Sequence, residues 1–543
     1  IADAKSSSKG VFAKATKLQQ VIFPERTKVI GKYTFATSGG LRQLSYVYIP
    51  STVTTIGQYA FQGQSKLLNV EFGEGIKLAK IDNYVFQNCT LLGSNADFKV
   101  PSSVTSIGNF AFSGTGIKSL TLSSKVSSIG TNAFEKCLNL ATVTINSSKL
   151  SIGKAAFNGC VKLSDVSLPE GLSTIGDNAF AGTAIRNITI PSSVVTIGEQ
   201  AFKDSSLGGN DGKIIFALNG DGKSALSEIG DEAFAGTKLT EFDLPETTDS
   251  LTLGAKIFKG CLALTKVHIS SSVTEIGTAF DGGIEITDVK VDGDKFMVTG
   301  GMLTNVKSDK SYDTIYYVFG QLDLKDGVLT IPEGVTSIGE RAFLGYTDIK
   351  KLVLPSTLIK LGDNAFQNCT GIEIIEFRNG SPSLTSISKY AFAGCKSLKE
   401  VNLPGTITAV SDYAFDDCVS LADLSMPGVV KIGIYSFRNT AIENLVMGNN
   451  VTTIEKNAFE NSKIKSVSFN AKLKTIGNYA FQNTLLTAVN ITAGITSIGN
   501  YAFCNNYNLA SVTFADNGSL TSIGSSAFKA TAISGVEIPA TVT

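Results

Sequence analysis

The chain has 543 residues, more than one hydrophobic core usually holds, and 43% of them are hydrophobic. Lys+Arg equals Asp+Glu at 47 each, so the net charge is zero and gives no electrostatic reason to expect nucleic acid or an anionic membrane surface. Every apolar run falls short of the roughly 18–20 residues a membrane helix needs, so no membrane insertion by this chain is expected.

The opening stretch, IADAKSSSKGVFAK, has neither a basic start nor an apolar h-region and does not read as a signal peptide. From there one phrase repeats. The Phe of an Ala-Phe-like pair returns as Phe12, Phe35, Phe61, Phe86, Phe112, Phe134, Phe157, Phe180, Phe202, Phe234, Phe258 and Phe280. After a gap it returns as Phe343, Phe366, Phe392, Phe415, Phe437, Phe459, Phe481, Phe503 and Phe528. These are about 21 copies at intervals of mostly 22–26 residues, and a fixed period in this range signals a solenoid.

Each copy carries a strand. In LSDVSLP, Leu163, Val166 and Leu168 are apolar and Ser167 stands between the last two, the alternation of a half-buried strand. Eleven of the twelve prolines follow this strand directly, where a residue without an N–H stops the ladder. The chain then reaches SIG or TIG, whose glycine suits a tight corner. The xxAF segment returns it to the next strand as a short helical or 3₁₀ turn. Stacked copies are expected to form one parallel sheet along the protein, with the phenylalanines as an internal spine.

The stretch LSDVSLPEGLSTIGDNAF (163–180) resembles the Treponema-type, BspA-like leucine-rich repeat family, whose consensus runs LxxLxLPxxLxxIGxxAFxxCxx. The likeness covers almost the whole chain. It implies a leucine-rich repeat solenoid of α/β type, with a parallel β-sheet and short helical or 3₁₀ turns. It also implies an extracellular or cell-surface protein, often an adhesin, with no catalytic motif to carry over and no cofactor.

Seven cysteines, Cys89, Cys137, Cys160, Cys261, Cys369, Cys395 and Cys418, lie three residues after the marker Phe; Cys504 is out of phase. No metal-ligand spacing exists among them. Stacked equivalents have parallel Cβ vectors, poor disulfide geometry, so buried free thiols are expected. The copy between Phe202 and Phe234 is enlarged to 32 residues by ALNGDGKS (217–224). That stretch lacks the first glycine of a phosphate-binding loop and reads as a surface loop. His268 is the one histidine, at an outward strand position, and reads as a solvated surface residue. The two aspartates of VDGDKF (291–296) lack the rest of a calcium loop.

The break divides the chain into an N-terminal arm, 1–280, an insert, 281–329, and a C-terminal arm, 330–543. FMVTGGMLTNV and TIYYVFG within the insert read as a β-hairpin with a neighbouring strand. Its Tyr312, Tyr316, Tyr317 and Phe319 are candidates for an aromatic partner-binding patch. In the arms, the outward strand positions form a grid of mostly short polar side chains: Thr142, Thr144, Asp165, Ser167, Lys266, His268, Glu400, Asn402, Ser511 and Thr513. Such a grid suits a protein or glycan ligand contacted over a broad area. The chain opens and closes within repeats without polar caps, so either flanking parts are missing or the ends meet other copies; head-to-tail self-association into a layer or filament is the alternative expectation.

Overall fold

The computed structural model describes residues 1–12, 15–36, 43–95, 97–210, 212–280, 286–378 and 383–543. It is a parallel-strand β-solenoid of about 21 turns that divides into two compact units, Ile1–Asp294 and Lys295–Thr543.

The alternating segment of most copies forms the outward strand. In Thr142–Ile145, Val143 and Ile145 are buried while Thr144 is exposed. This strand pairs in parallel with Ser119–Leu122 before it and Asp165–Ser167 after it. The expected single sheet is instead several short ones of two to five strands. Two of the breaks fall where the connection after the Phe shortens by one residue. Six residues lead from Phe157 to Leu163 and from Phe415 to Leu421, but five from Phe180 to Ile185 and from Phe437 to Ile442. Pairing lapses at both of these steps, between Asp165–Ser167 and Ile188–Ile190 and between Asp423–Ser425 and Asn444–Val446.

The more continuous ladder was not expected. The SI and TI pairs and the equivalent segments of other copies, most of them before a glycine, are themselves short strands. In the first unit nine of them, from Lys80–Ile81 to Val273–Glu275, form one sheet; in the second, seven run from Ser386–Ile387 to Ser522–Ile523. The glycine that follows has a different reason from the one read in the sequence. Gly176 does not have positive φ; a Cβ there would stand 2.7 Å from the backbone carbon of Gly153 in the turn before it. Stacked backbones approach too closely for a side chain.

The Ala-Phe segment is neither α nor 3₁₀ helix. Among the described residues the only helical segments are the 3₁₀ turns Ser7–Lys9 and Lys325–Gly327. Helix is interrupted because residues two before and two after the Phe adopt the left-handed region, for example Asn178 (φ 55°) and Gly182 (φ 66°) around Phe180. A non-glycine residue there costs roughly 1–2 kcal/mol. The geometry is held by bonds to the next turn: the N–H groups of Asn178, Phe180 and Gly182 donate to the carbonyls of Glu199, Ala201 and Lys203, each at 2.8 Å. Where the left-handed residue is tyrosine, rings stack outside the spine, as Tyr33, Tyr59 and Tyr84 do at 4.6 and 4.5 Å.

Inside, Phe134, Phe157 and Phe180 stack with centroids 5.3 and 5.4 Å apart, and Phe437, Phe459 and Phe481 at 5.4 and 5.3 Å. In many copies the position three residues after the Phe satisfies a buried carbonyl. The thiols of Cys137 and Cys160 donate to the carbonyls of Phe112 and Phe134, one turn back, at 3.2 and 3.1 Å. Threonine at the same position bonds its own copy's Phe, Thr183 to Phe180 at 2.9 Å. Asn506 serves both, reaching Phe481 at 2.7 Å and Phe503 at 2.9 Å. All eight cysteines are free and buried, and burial pushes the Cys89 and Cys369 thiols up to about 12.

Polar groups also tie turns together. Glu232 lies 2.8 Å from the Lys259 ammonium and 2.9 Å from that of Lys203, one turn to either side. Hydrogen bonds to Lys259 and then Lys203 hold its carboxyl down to about 2 from an ordinary 4.5. A depressed carboxyl stabilises the fold above its unfolded value and loses that contribution as pH falls through the folded one. Glu232→Gln is therefore expected to cost about 1 kcal/mol at pH 7, less than full linkage because the lysines are open to solvent. The difference from wild type should shrink from about pH 4.5 downward and vanish near pH 2, read from urea unfolding across pH. A pH-independent difference would mean that the ion pairs contribute nothing.

In the second unit, Phe296–Thr299, Met302–Asn305 and Thr314–Val318 are successive antiparallel partners, and Thr314–Val318 then pairs in parallel with Ser337–Ile338. Residues 281–285, where the sequence places the start of the insert, lie outside the described residues.

Candidate binding face

The outward positions fall where the strand alternation puts them, and the ladders bring some of them together. Thr142 is paired with Asp165 and Thr144 with Ser167. Lys266 is flanked by Glu241 and Asp288, and His268 by Asp243 and Lys290. In the second unit Glu400 neighbours Ile374 and Asp423, Asn402 neighbours Ser425, and Ser511 neighbours Ala488. Thr513 donates to the Asn490 side chain at 3.2 Å. Thr142 and His268 are partly covered and the other eight are exposed.

From Ser119 to Thr189 the outward residues of the first unit are Ser, Thr, Asn and one aspartate, a neutral to weakly acidic surface of short side chains on a hydrogen-bonded backbone. Beyond it the face is charged. His268 is not the solvated residue the sequence suggested: its side chain is 24% exposed. Its Nε2 lies 2.6 Å from Asp292 Oδ2 and 3.3 Å from the Lys290 ammonium, and its Nδ1 lies 3.8 Å from Asp243. The His268 and Lys290 hydrogen bonds pull the Asp292 carboxyl below its ordinary value. Asp292, one of the two aspartates of VDGDKF, is thus engaged by side chains. Among the described residues no three His, Cys, Asp or Glu side chains converge as a metal-holding group.

The enlarged copy shapes the face next to this cluster. Asn219 Oδ1 accepts from the N–H groups of Asp221 and Lys223 at 2.9 and 3.0 Å, closing the tip of the 217–224 loop. The loop and the strand Ile214–Phe216 form one wall of a cavity of about 370 Å³; Asp243, Pro245 and His268 are on the other. Apart from His268, its lining residues were not candidates in the sequence because they come from three copies, and only the 32-residue spacing pointed there.

The aromatic patch of the insert changes on inspection. Tyr317 is 6% exposed and shares the buried face of its strand with Ile315, so it does not belong to an exposed patch. Tyr312 packs against the core, and Tyr316 meets Phe296 edge-on at 5.8 Å. Phe319 stacks on Tyr317 at 6.1 Å.

Among the described residues no helix is long and apolar enough to cross a membrane. No curated protein sequence matches the chain. Solved structures that resemble it include a leucine-rich repeat protein from Bacteroides ovatus, at 18% identity and TM-score 0.34, covering 92% of each chain. One from Eubacterium ventriosum has 21% identity and TM-score 0.40, covering 75% of this chain and 86% of its own. A leucine rich cell surface protein from Faecalibacterium prausnitzii has 19% identity and TM-score 0.32, covering 92% and 88%. These similarities are too distant to carry an argument about function. The BspA type leucine-rich repeat region, by contrast, matches residues 4–96, 92–208, 222–307, 315–439 and 430–543. With the repeated Phe corner and the parallel ladders, that coverage makes the chain a member of the BspA-type leucine-rich repeat family.

Proposed function

We propose that this chain is a non-enzymatic binding protein of the cell surface or extracellular space, adhesin-like, that engages a protein or glycan over a broad area of its outward strand face. The observation that carries the reading is the Ser119–Thr189 surface. Short side chains such as Thr121, Thr144 and Ser167 stand on paired strands, where little conformational entropy remains to be lost on contact. Placement outside the cell is what membership of the family implies.

The test uses the full chain against a glycan array and a panel of extracellular matrix proteins. A ligand should be bound, and Thr144→Arg combined with Ser167→Glu should weaken it at least tenfold. Asn158→Arg, on the Phe corner, should bind as wild type does. Equal binding by the face variant and wild type would place the ligand elsewhere. Concentration-dependent filaments without any ligand would replace adhesion with self-assembly.

A further inference from the structure

The groove beside His268 has the composition of a site for one kind of ligand. The outward position of the strand Ile214–Phe216 is filled by Ile215, in register with Thr189 of the preceding strand. Ile215 is 54% exposed, and Leu218, from the enlarged loop, is 51% exposed. Single exposed aliphatic residues need no explanation, but these two line the same cavity. Their copy is the one whose extra length builds the wall.

The opposite wall is acidic. Around the groove the described residues present the carboxylates of Glu241, Asp243, Glu246, Asp288 and Asp292 against three ammonium groups, Lys213, Lys266 and Lys290. Most of the acids are engaged. Glu241 pairs with Lys213 at 3.0 Å, Asp292 with Lys290 at 3.2 Å, and Glu246 accepts from the hydroxyls of Ser271 and Ser272. Asp243 differs. Its side chain is 78% exposed, the nearest basic group is His268 Nδ1 at 3.8 Å, and it makes no Lys or Arg ion pair among the described residues. A carboxylate so placed, beside two open aliphatic side chains, complements a ligand that carries a cation close to an apolar group.

The aromatic content speaks against a sugar. The aromatic rings among the described lining residues are Phe216 and His268; Phe216 is half-buried and meets Phe242 edge-on at 5.8 Å, and the His268 side chain is 24% exposed and held by Asp292. Both rings are partly covered, and neither is the broad exposed ring on which a pyranose stacks.

We propose that this groove binds a peptide segment of a partner protein in which a Lys or Arg lies within a few residues of an aliphatic side chain. The cation pairs with Asp243, and the aliphatic group packs between Ile215 and Leu218. This rests on the binding reading above and names a partner class for one part of the face.

The experiment is selection of a random dodecapeptide phage library on the immobilised full chain, followed by fluorescence anisotropy with the most enriched peptide carrying fluorescein. Enriched sequences should place Lys or Arg within three positions of Leu, Ile or Val. Asp243→Asn and Ile215→Ser should each weaken the labelled peptide five- to tenfold at unchanged melting temperature, and Asp243→Glu should retain most binding. Lack of enrichment over an Asp243→Asn, Ile215→Ser counter-selection would overturn the proposal. So would enriched peptides without a basic residue, or a glycan-array signal lost in Asp243→Asn. A matrix or glycan ligand that is lost in the Thr144, Ser167 variant but kept in the groove variants would sink the groove alone and leave the broad-face reading standing.

Discussion

Phe366→Ala is expected to cost about 3–5 kcal/mol of unfolding free energy, whereas Thr144→Ala should stay within about 0.5 kcal/mol of wild type. Phe366 is fully buried between Phe343, at 4.8 Å, and Phe392, at 5.6 Å. Truncation removes a ring from a continuous stack and leaves a void that two flat neighbours can fill only by moving whole turns. The backbone there is equally committed. The Phe366 N–H donates to the Ala391 carbonyl at 2.9 Å, and the Phe366 carbonyl accepts from the Cys395 thiol at 3.3 Å. Collapse around the void would strain those bonds. Because turns touch chiefly their neighbours, the loss should be local. Urea unfolding gives the magnitude, and amide hydrogen exchange should show protection falling first in the turns around Phe343, Phe366 and Phe392. If Phe366→Ala melts with wild type, the phenylalanines are not the core.

Much of this was legible because it is written 21 times. A single AF pair means nothing, but a phase kept from Phe12 to Phe528 fixes the inward residue of every turn. Alternation around Val143 or Val166 then fixes which side chains point out. Other features lacked such a signal. Thr196-Ile197 is too short to alternate, so a two-residue strand reads as a corner. Tyr59 at φ 62° carries no sequence cue for the left-handed region, since tyrosine gains nothing there by itself. Its N–H to the Asn83 carbonyl and its ring against Tyr84 at 4.5 Å hold it, and both partners lie in the next copy. The residue three after the Phe has one role under several names in Cys137, Thr183 and Asn506. Reading each residue type alone hid the shared task of bonding a Phe carbonyl. The charged end of the face was obscured in the same way: Asp243, His268 and Asp292 are about 25 residues apart in sequence and adjacent only after stacking.

The largest polar effect should come from Asp416 and Arg438. The guanidinium donates to both carboxylate oxygens, Nε to Oδ1 and Nη2 to Oδ2, each at 2.7 Å. The Asp416 side chain is 10% exposed and that of Arg438 30%. The guanidinium also lies 4.8 Å over the Tyr435 ring, which stacks on Tyr413 at 4.9 Å. Two fixed parallel hydrogen bonds between charged groups are stronger than an exposed ion pair, and removing one partner strands the other's charge. Breaking a fully buried pair costs about 3–5 kcal/mol; the partial exposure of Arg438 lowers the expectation for Asp416→Asn to roughly 2–3 kcal/mol. Arg438→Met should cost a similar amount, because it leaves a carboxylate with little access to water. Replacing both, Asp416→Leu with Arg438→Met, removes both charges together and should cost less than either single change. A double-mutant cycle by urea unfolding measures the coupling. If the double variant loses the sum of the two single losses, the pair is two independent surface charges, and adjacent turns are held there by packing alone.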